Sequence, residues 1–161
     1  MLLRTFHADD LEALIDLTVR AFEPIQDGIR HQLGNELFAR QNGQWRQDYR
    51  DTLAELTGPG NQHRFLVADL DGAPAGYAAW STHPGPAGPQ GEIMLLAVDP
   101  RHQRSGLGRA LIDAVCEAMR TAGCVVVWMG TGGDEAHTSA RAAYATAGFI
   151  PLPTVFYSRV L

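Results

Sequence analysis

Glu92-Ile-Met-Leu-Leu-Ala-Val98, followed by Asp99-Pro-Arg-His-Gln-Arg-Ser-Gly-Leu-Gly-Arg109, decides how this chain folds. The first run is almost wholly apolar, as suits a strand covered on both faces in the middle of a sheet. From Gly106 the period becomes helical: Leu107, Leu111, Ala114, Val115, Ala118 and Met119 share one side, and Gly123 is the stop. Between strand and helix, Arg101 to Arg109 holds three arginines, one histidine and no carboxylate. Gly106 and Gly108 remove side chains that would keep a ligand away from the unpaired N–H groups of the first helical turn. A helix dipole contributes ~0.3–1 kcal/mol towards an anion at that place, and each charge-assisted bond from Arg104 or Arg109 ~1.5–3 kcal/mol. The segment therefore predicts an anion cradle whose natural guest is a diphosphate.

Outward from the cradle, Phe65-Leu-Val-Ala-Asp-Leu70, the turn Asp71-Gly72 and Ala75 to Ser81 predict a β-hairpin. Leu2 to Phe6 reads as a strand. Asp9 with Glu12 opens an amphipathic helix expected to end near Glu23-Pro24. Residues 28–57 predict two helical pieces, broken at Gly34 and Asn42-Gly43, the second with Trp45, Tyr49, Leu53 and Leu56 on one stripe. Prolines and glycines make 83–91 a loop. Cys124 to Met129 reads as a second central strand, 131–134 as a flexible connection, 138–147 as an Ala-rich helix closed by Gly148, and Val155 to Val160 as a last strand. The order is that of a mixed α/β sheet in one domain spanning residues 1–161.

The 161 residues carry 13 basic and 18 acidic side chains, a net charge of −5, and every basic one is arginine. That balance argues against a nucleic-acid backbone as the main partner. No apolar run approaches the ~18 residues that cross a bilayer, and the N-terminus has no signal-peptide pattern, so a cytoplasmic protein without a membrane partner is expected. Cys116 and Cys124 show no ligand spacing and read as buried thiols, with no metal implied. Two other glycine motifs fail here. A Walker loop needs a lysine, which the chain lacks, and the dinucleotide fingerprint needs a third glycine where Leu111 stands.

Gln103-Arg-Ser-Gly106-Leu-Gly108, preceded by Ala97-Val-Asp-Pro100, resembles the Gln/Arg-x-x-Gly-x-Gly/Ala signature of the GNAT (Gcn5-related) N-acetyltransferases. Ala140-Arg-Ala-Ala-Tyr144-Ala-Thr-Ala-Gly148-Phe149 resembles that family's second signature, in the right order and on the right element. The resemblance implies a single-domain GNAT fold: a mixed central sheet, splayed between strands 92–98 and 124–129, with helices on both faces. It implies acetyl-CoA as cofactor, its arm paired with the backbone of Leu96, Ala97 and Val98, and its pyrophosphate held at Gln103, Arg104, Ser105, Gly106, Leu107, Gly108 and Arg109. Leu96 N–H would be the oxyanion donor. His137 stands seven residues before Tyr144, where family members often carry asparagine in contact with the cofactor.

Direct acetyl transfer needs a neutral amine, a stabilised oxyanion and a proton for the departing thiolate. Tyr144 is the candidate acid by resemblance, and a core tyrosine otherwise. Glu92 opens an apolar strand, where alternation places it on the face of Met94 and Leu96. Its position resembles that of the general-base glutamate in the histone acetyltransferase branch, and a solvated carboxylate attracting a cationic amine is the competing role. His137 is a rival base, while His83 and the other histidines read as surface residues. The expected partner is a small-molecule or peptide amine, with a homodimer as an available assembly. A non-catalytic acyl-CoA sensor of the same fold is the alternative. Residues 24–57, with Glu23, Asp27, Trp45, Asp48 and Tyr49, are expected to shape the acceptor pocket.

Overall fold

Asp71 and Gly72 both take positive φ, 55° and 84°, so the two-residue turn matches the right-handed twist of the strands that it joins. It closes the hairpin of β2 (Arg64–Leu70) and β3 (Ala73–His83), and Gly72 N donates to Asp69 Oδ1 at 2.8 Å. The computed structural model describes residues 1–161. β1 (Leu2–Thr5) pairs antiparallel with β2, and β4 (Gln90–Val98) pairs antiparallel with β3. β5 (Val126–Met129) pairs parallel with β4, giving a five-stranded mixed sheet in the order β1-β2-β3-β4-β5.

Helices cover both faces. On one lie α1 (Leu11–Leu33) and α3 (Trp45–Leu56), which with the sheet bury Leu14, Leu17, Leu53, Val67, Tyr77 and Ala97. Short α2 (Asn35–Asn42) joins them, its breaks at Gly34 and Gly43 as the sequence predicts. On the other face α4 (Leu107–Thr121), the β4-to-β5 crossover, buries Leu107, Leu111, Val115 and Met119 against Ala78, Trp80 and Ile93. Gly76 permits this approach, since a Cβ there would lie 3.0 Å from Ala97 O and 3.1 Å from Leu107 Cδ2. α5 (Thr138–Thr146) follows β5.

The structure departs from the sequence reading in three places. α1 does not stop at Pro24 but runs through it to Leu33. A proline removes a single helical donor, and burial of Gln26 together with close packing of Gly28 on Ala136 sustains the helix beyond it. No strand forms at 155–160; residues 150–161 are irregular, with Ile150, Phe156 and Tyr157 exposed. β5 is accordingly an edge strand rather than a central one.

The third departure shapes the site. β3 and β4 pair Ala79 with Leu95 but Trp80 with Ile93, which leaves Met94 as the extra residue of a β-bulge. The bulge inverts the expected alternation. Ile93 and Leu96 both pack on the α4 side, while Leu95 and Ala97 face α1. Glu92 alternates with Ile93 and so faces α1, not the side of Leu96.

Candidate active site

β4 pairs with β5 only over Gln90–Ile93, opposite Val126–Met129, and then continues to Val98 with β3 alone. The sheet therefore opens between its two parallel strands. Asp99 N donates to Ala75 O at 2.9 Å. Antiparallel alternation then turns the amide of Ala97 towards β3 and those of Leu96 and Val98 into the opening. Of the three residues expected to present backbone there, Leu96 and Val98 do so.

The loop beyond Val98 is built around Asp99, whose side chain is fully buried. It accepts from Arg101 N at 3.0 Å, Arg101 Nε at 2.9 Å and Nη2 at 2.8 Å, and from Arg20 Nη2 at 2.7 Å. These bonds, Arg101 foremost, outweigh desolvation and hold the Asp99 carboxyl well below the ordinary carboxylate range. They also shape the 3₁₀ turn Pro100–His102 and fasten it to α1. Gln103 Nε2 donates to Val98 O at 3.1 Å and Ser105 Oγ to His102 O at 2.6 Å, so two of the predicted ligand side chains close the loop on itself.

Arg104 (φ 61°) and Gly106 (φ 87°) are both left-handed, bringing the chain abruptly to the start of α4. No side chain caps that helix, and its first internal acceptor, Gly106 O, takes Ala110 N at 3.0 Å. The amides of Leu107, Gly108 and Arg109 thus lack any acceptor in the chain. A Cβ on Gly108 would meet only Val98 Cγ2, at 3.7 Å. Packing does not require glycine there; the bare amide faces open space. Arg104 has no carboxylate partner. Arg109 binds Asp113 (Nε to Oδ2, 2.7 Å) and Thr146 O (2.9 Å), and ties α4 to α5.

Phe149, like Leu96, Val98 and Met129, packs against the core cluster under α4, and Tyr144 stands edge-on to Phe149 with ring centroids 6.3 Å apart. Through Phe149, Tyr144 lies on the α4 side of the sheet, and burial pushes its phenol up. The connection 131–134 is pinned rather than free. Arg141 Nη1 donates to Gly132 O at 2.8 Å, and His137 Nδ1 lies 2.6 Å from Asp134 Oδ2. Burial raises the Asp134 carboxyl, but the bond and charge of His137 outweigh it and leave Asp134 below its ordinary range. His137 is largely buried in this pair.

Glu92 has a partner that the sequence reading missed. His83 Nε2 lies 3.3 Å from Glu92 Oε2 and 3.0 Å from Ser81 Oγ, because Ser81 and Glu92 are register partners and His83 alternates back to the same face. Asp99 and Arg20 were missed as well, for nothing in sequence links positions 79 residues apart. The expected acceptor residues fare otherwise. Trp45 is core, Tyr49 packs on Phe22 with centroids 4.8 Å apart, Glu23 pairs with Arg46, and Asp48 is exposed. A cavity of about 540 Å³ between α3, β2 and α4 holds none of the cradle groups.

A mixed sheet that opens between two parallel strands, beside a helix whose first amides are bare, defines the GNAT fold. The family model described as the acetyltransferase (GNAT) family matches residues 30–149, and the chain belongs to that family. It is 33% identical over 141 residues to a mycothiol acetyltransferase of Cellulomonas flavigena, covering 80% of this chain and 40% of that protein. A mycothiol acetyltransferase of Sanguibacter keddieii is 34% identical over 139 residues, covering 83% and 43%. The chain thus spans about two fifths of the length of these curated relatives. A GNAT-family acetyltransferase structure from Desulfovibrio desulfuricans superposes with a TM-score of 0.69 at 23% identity, over 94% of this chain and 86% of that one. A ribosomal-protein-alanine N-acetyltransferase from Brucella melitensis gives 0.69 at 15%, over 99% and 100%, a likeness of fold.

Membership implies acetyl-CoA as co-substrate. The donors present fit it: bare amides at 107–109 and the free Arg104 guanidinium suit a diphosphate, and the Leu96 and Val98 amides suit an extended amide-bearing arm. Gly108→Val should therefore weaken CoA binding at least ~tenfold, a change of ~1.4 kcal/mol, in a protein that still folds. Unchanged affinity by calorimetry would contradict the cradle. Asp99→Asn should cost about 1–3 kcal/mol at pH 7 and weaken CoA binding through a loosened loop. Because the folded value is depressed, the Asp99 contribution is present above its ordinary pKa of 3.8 and is lost as pH falls towards the folded value. Urea melts at pH 7 and pH 3 should show the wild-type advantage shrinking; a difference that grows on acidification would contradict this assignment.

Proposed function

We propose that this chain transfers an acetyl group from acetyl-CoA to a primary amine, with residues 1–161 acting as one unit. The observation that carries the reading is the unpaired edge of β4 leading through the Asp99 loop to the uncapped start of α4. These two sets of backbone donors suit an arm that ends in a diphosphate. Acetyl-CoA, when bound, supplies an activated acyl group. The chain's part is to hold it extended, with Leu96 N–H aimed at the acyl oxygen, and to manage two protons.

Tyr144 is the proposed acid. Its hydroxyl is protonated at neutral pH, as a phenol ordinarily is, with burial raising it further, and it packs edge-on to Phe149 on the α4 side of the sheet. Glu92 is the proposed base, facing α1 on the strand that supplies the Leu96 donor, with His83 and Ser81 against its carboxylate. His137 suits this role less well, since its ring is largely buried, with 14% of its side chain exposed. In this reading Gln103, Ser105 and Arg109 shape the cradle, and Arg104 meets the diphosphate directly.

Release of CoA thiol in the presence of mixed amines tests the reading against a binding-only sensor, which would bind CoA and release none. Tyr144→Phe keeps the ring and its packing, so kcat should fall by ~10²–10⁴ with substrate binding intact. A fall of less than ~threefold is too small for an acid in the transition state. Glu92→Gln should lower kcat ~10²–10⁴-fold while CoA affinity stays. A normal kcat in that variant beside a collapsed one in His137→Ala would move the base to His137.

A further inference from the structure

Ser81 and Glu92 are register partners between β3 and β4, and Glu92 and Trp128 are register partners between β4 and β5. Register partners share a face, so Ser81, Glu92 and Trp128 form a row across three strands on the side looking away from α4. Val126 flanks the row opposite Gln90. The neighbours Val127 and Met129 turn the other way, into the α4 cluster. What the row presents is unusual: an indole 45% exposed beside a carboxylate 24% exposed, whose only ion-pair partner is His83. Val126, 48% exposed on the same face of β5, adjoins the indole, so the two form a small contiguous apolar surface beside the carboxylate. Glu92 with Trp128 is the pair next to the last, Ile93 with Met129, so the row lies one residue from the opening of the sheet.

We propose that this row, resting on the acetyl-transfer reading, is the acceptor site, and that Trp128 selects a primary amine with an aromatic or aliphatic body and no carboxylate on the amine-bearing carbon. The chemistry is complementary at each point. An ammonium group is drawn by the Glu92 carboxylate and by the electron-rich indole face, while Val126 and the indole ring shed water onto an apolar body. A carboxylate on the amine carbon would stand against Glu92, and no arginine pairs with Glu92 to offset it. Ser81, the buried member of the row, bonds His83 Nε2, the same nitrogen that lies 3.3 Å from Glu92 Oε2, and so keeps the imidazole beside the carboxylate.

Calorimetric titration of phenethylamine and of phenylalanine, with and without CoA, tests the site by binding alone, and turnover with the same two compounds runs beside it. Phenethylamine should bind at least ~tenfold more tightly than phenylalanine, which is ~1.4 kcal/mol. Trp128→Ala should remove most of that affinity and raise the acceptor KM more than it lowers kcat, while Trp128→Phe, which keeps a ring, should hold affinity within ~threefold. Equal binding of the two compounds, or Trp128→Ala indistinguishable from wild type, would overturn the proposal even with acetyl transfer intact. The expected binding pattern without any thiol release would uphold the site and overturn the transfer reading instead.

Discussion

Four register pairs, Gln90–Ile93 against Val126–Met129, are all that join β5 to the sheet, and the candidate site depends on where they stop. A longer ladder would consume the Leu96 and Val98 amides. The bulge at Met94 lies immediately beyond the last pair, and a bulge bends its strand and increases local twist, which carries β4 away from β5. The consequence is an internal strand with a free edge. Such an edge is a standing invitation to an extended partner, and backbone donors left dry there cost about as much as lost hydrogen bonds. The same bulge sets which side of the sheet each group serves. It leaves Glu92 on the α1 face while Leu96 turns to α4, so the carboxylate and the apolar support of α4 are kept on opposite sides.

At the far end of β4 the constraint passes to Asp99. A fully buried carboxylate is tolerable only with several donors, and here Arg101 and Arg20 supply them from the loop and from α1. The loop's charge requirement is therefore met internally, and the amides of 107–109 and Arg104 stay available. Arg20 also makes the cradle answerable to the helix that covers the other face of the sheet. A guanidinium nearly half exposed at that joint ties the two layers without sealing them.

Much of this was legible in the sequence because it is local. Asp71-Gly72 requires positive φ at both positions, Gly106 supplies the left-handed turn, and the cluster of arginines without carboxylates marks the cradle. What could not be read depends on contacts between distant residues or on register. Pro24 looked like a terminus because the packing of Gln26 and Gly28 that sustains the helix lies beyond it. Glu92 was placed on the wrong face because a one-residue bulge inverts alternation and leaves no mark in composition. His83 looked idle because its distance to Glu92 depends on how the loop after it returns. Val155 to Val160 has the composition of a strand, yet it takes no partner on the β5 edge.

We propose that two sets of backbone donors, Leu96 and Val98 on β4 and Leu107, Gly108 and Arg109 at the start of α4, together receive acetyl-CoA. Amide hydrogen exchange with and without CoA reads those donors directly and needs no turnover. The account predicts slowed exchange at Leu96, Val98 and residues 107–109 on CoA addition, with Ala97, whose amide is turned towards β3, changed little. Unchanged exchange at these donors, or protection confined to the cavity between α3, β2 and α4, would contradict it.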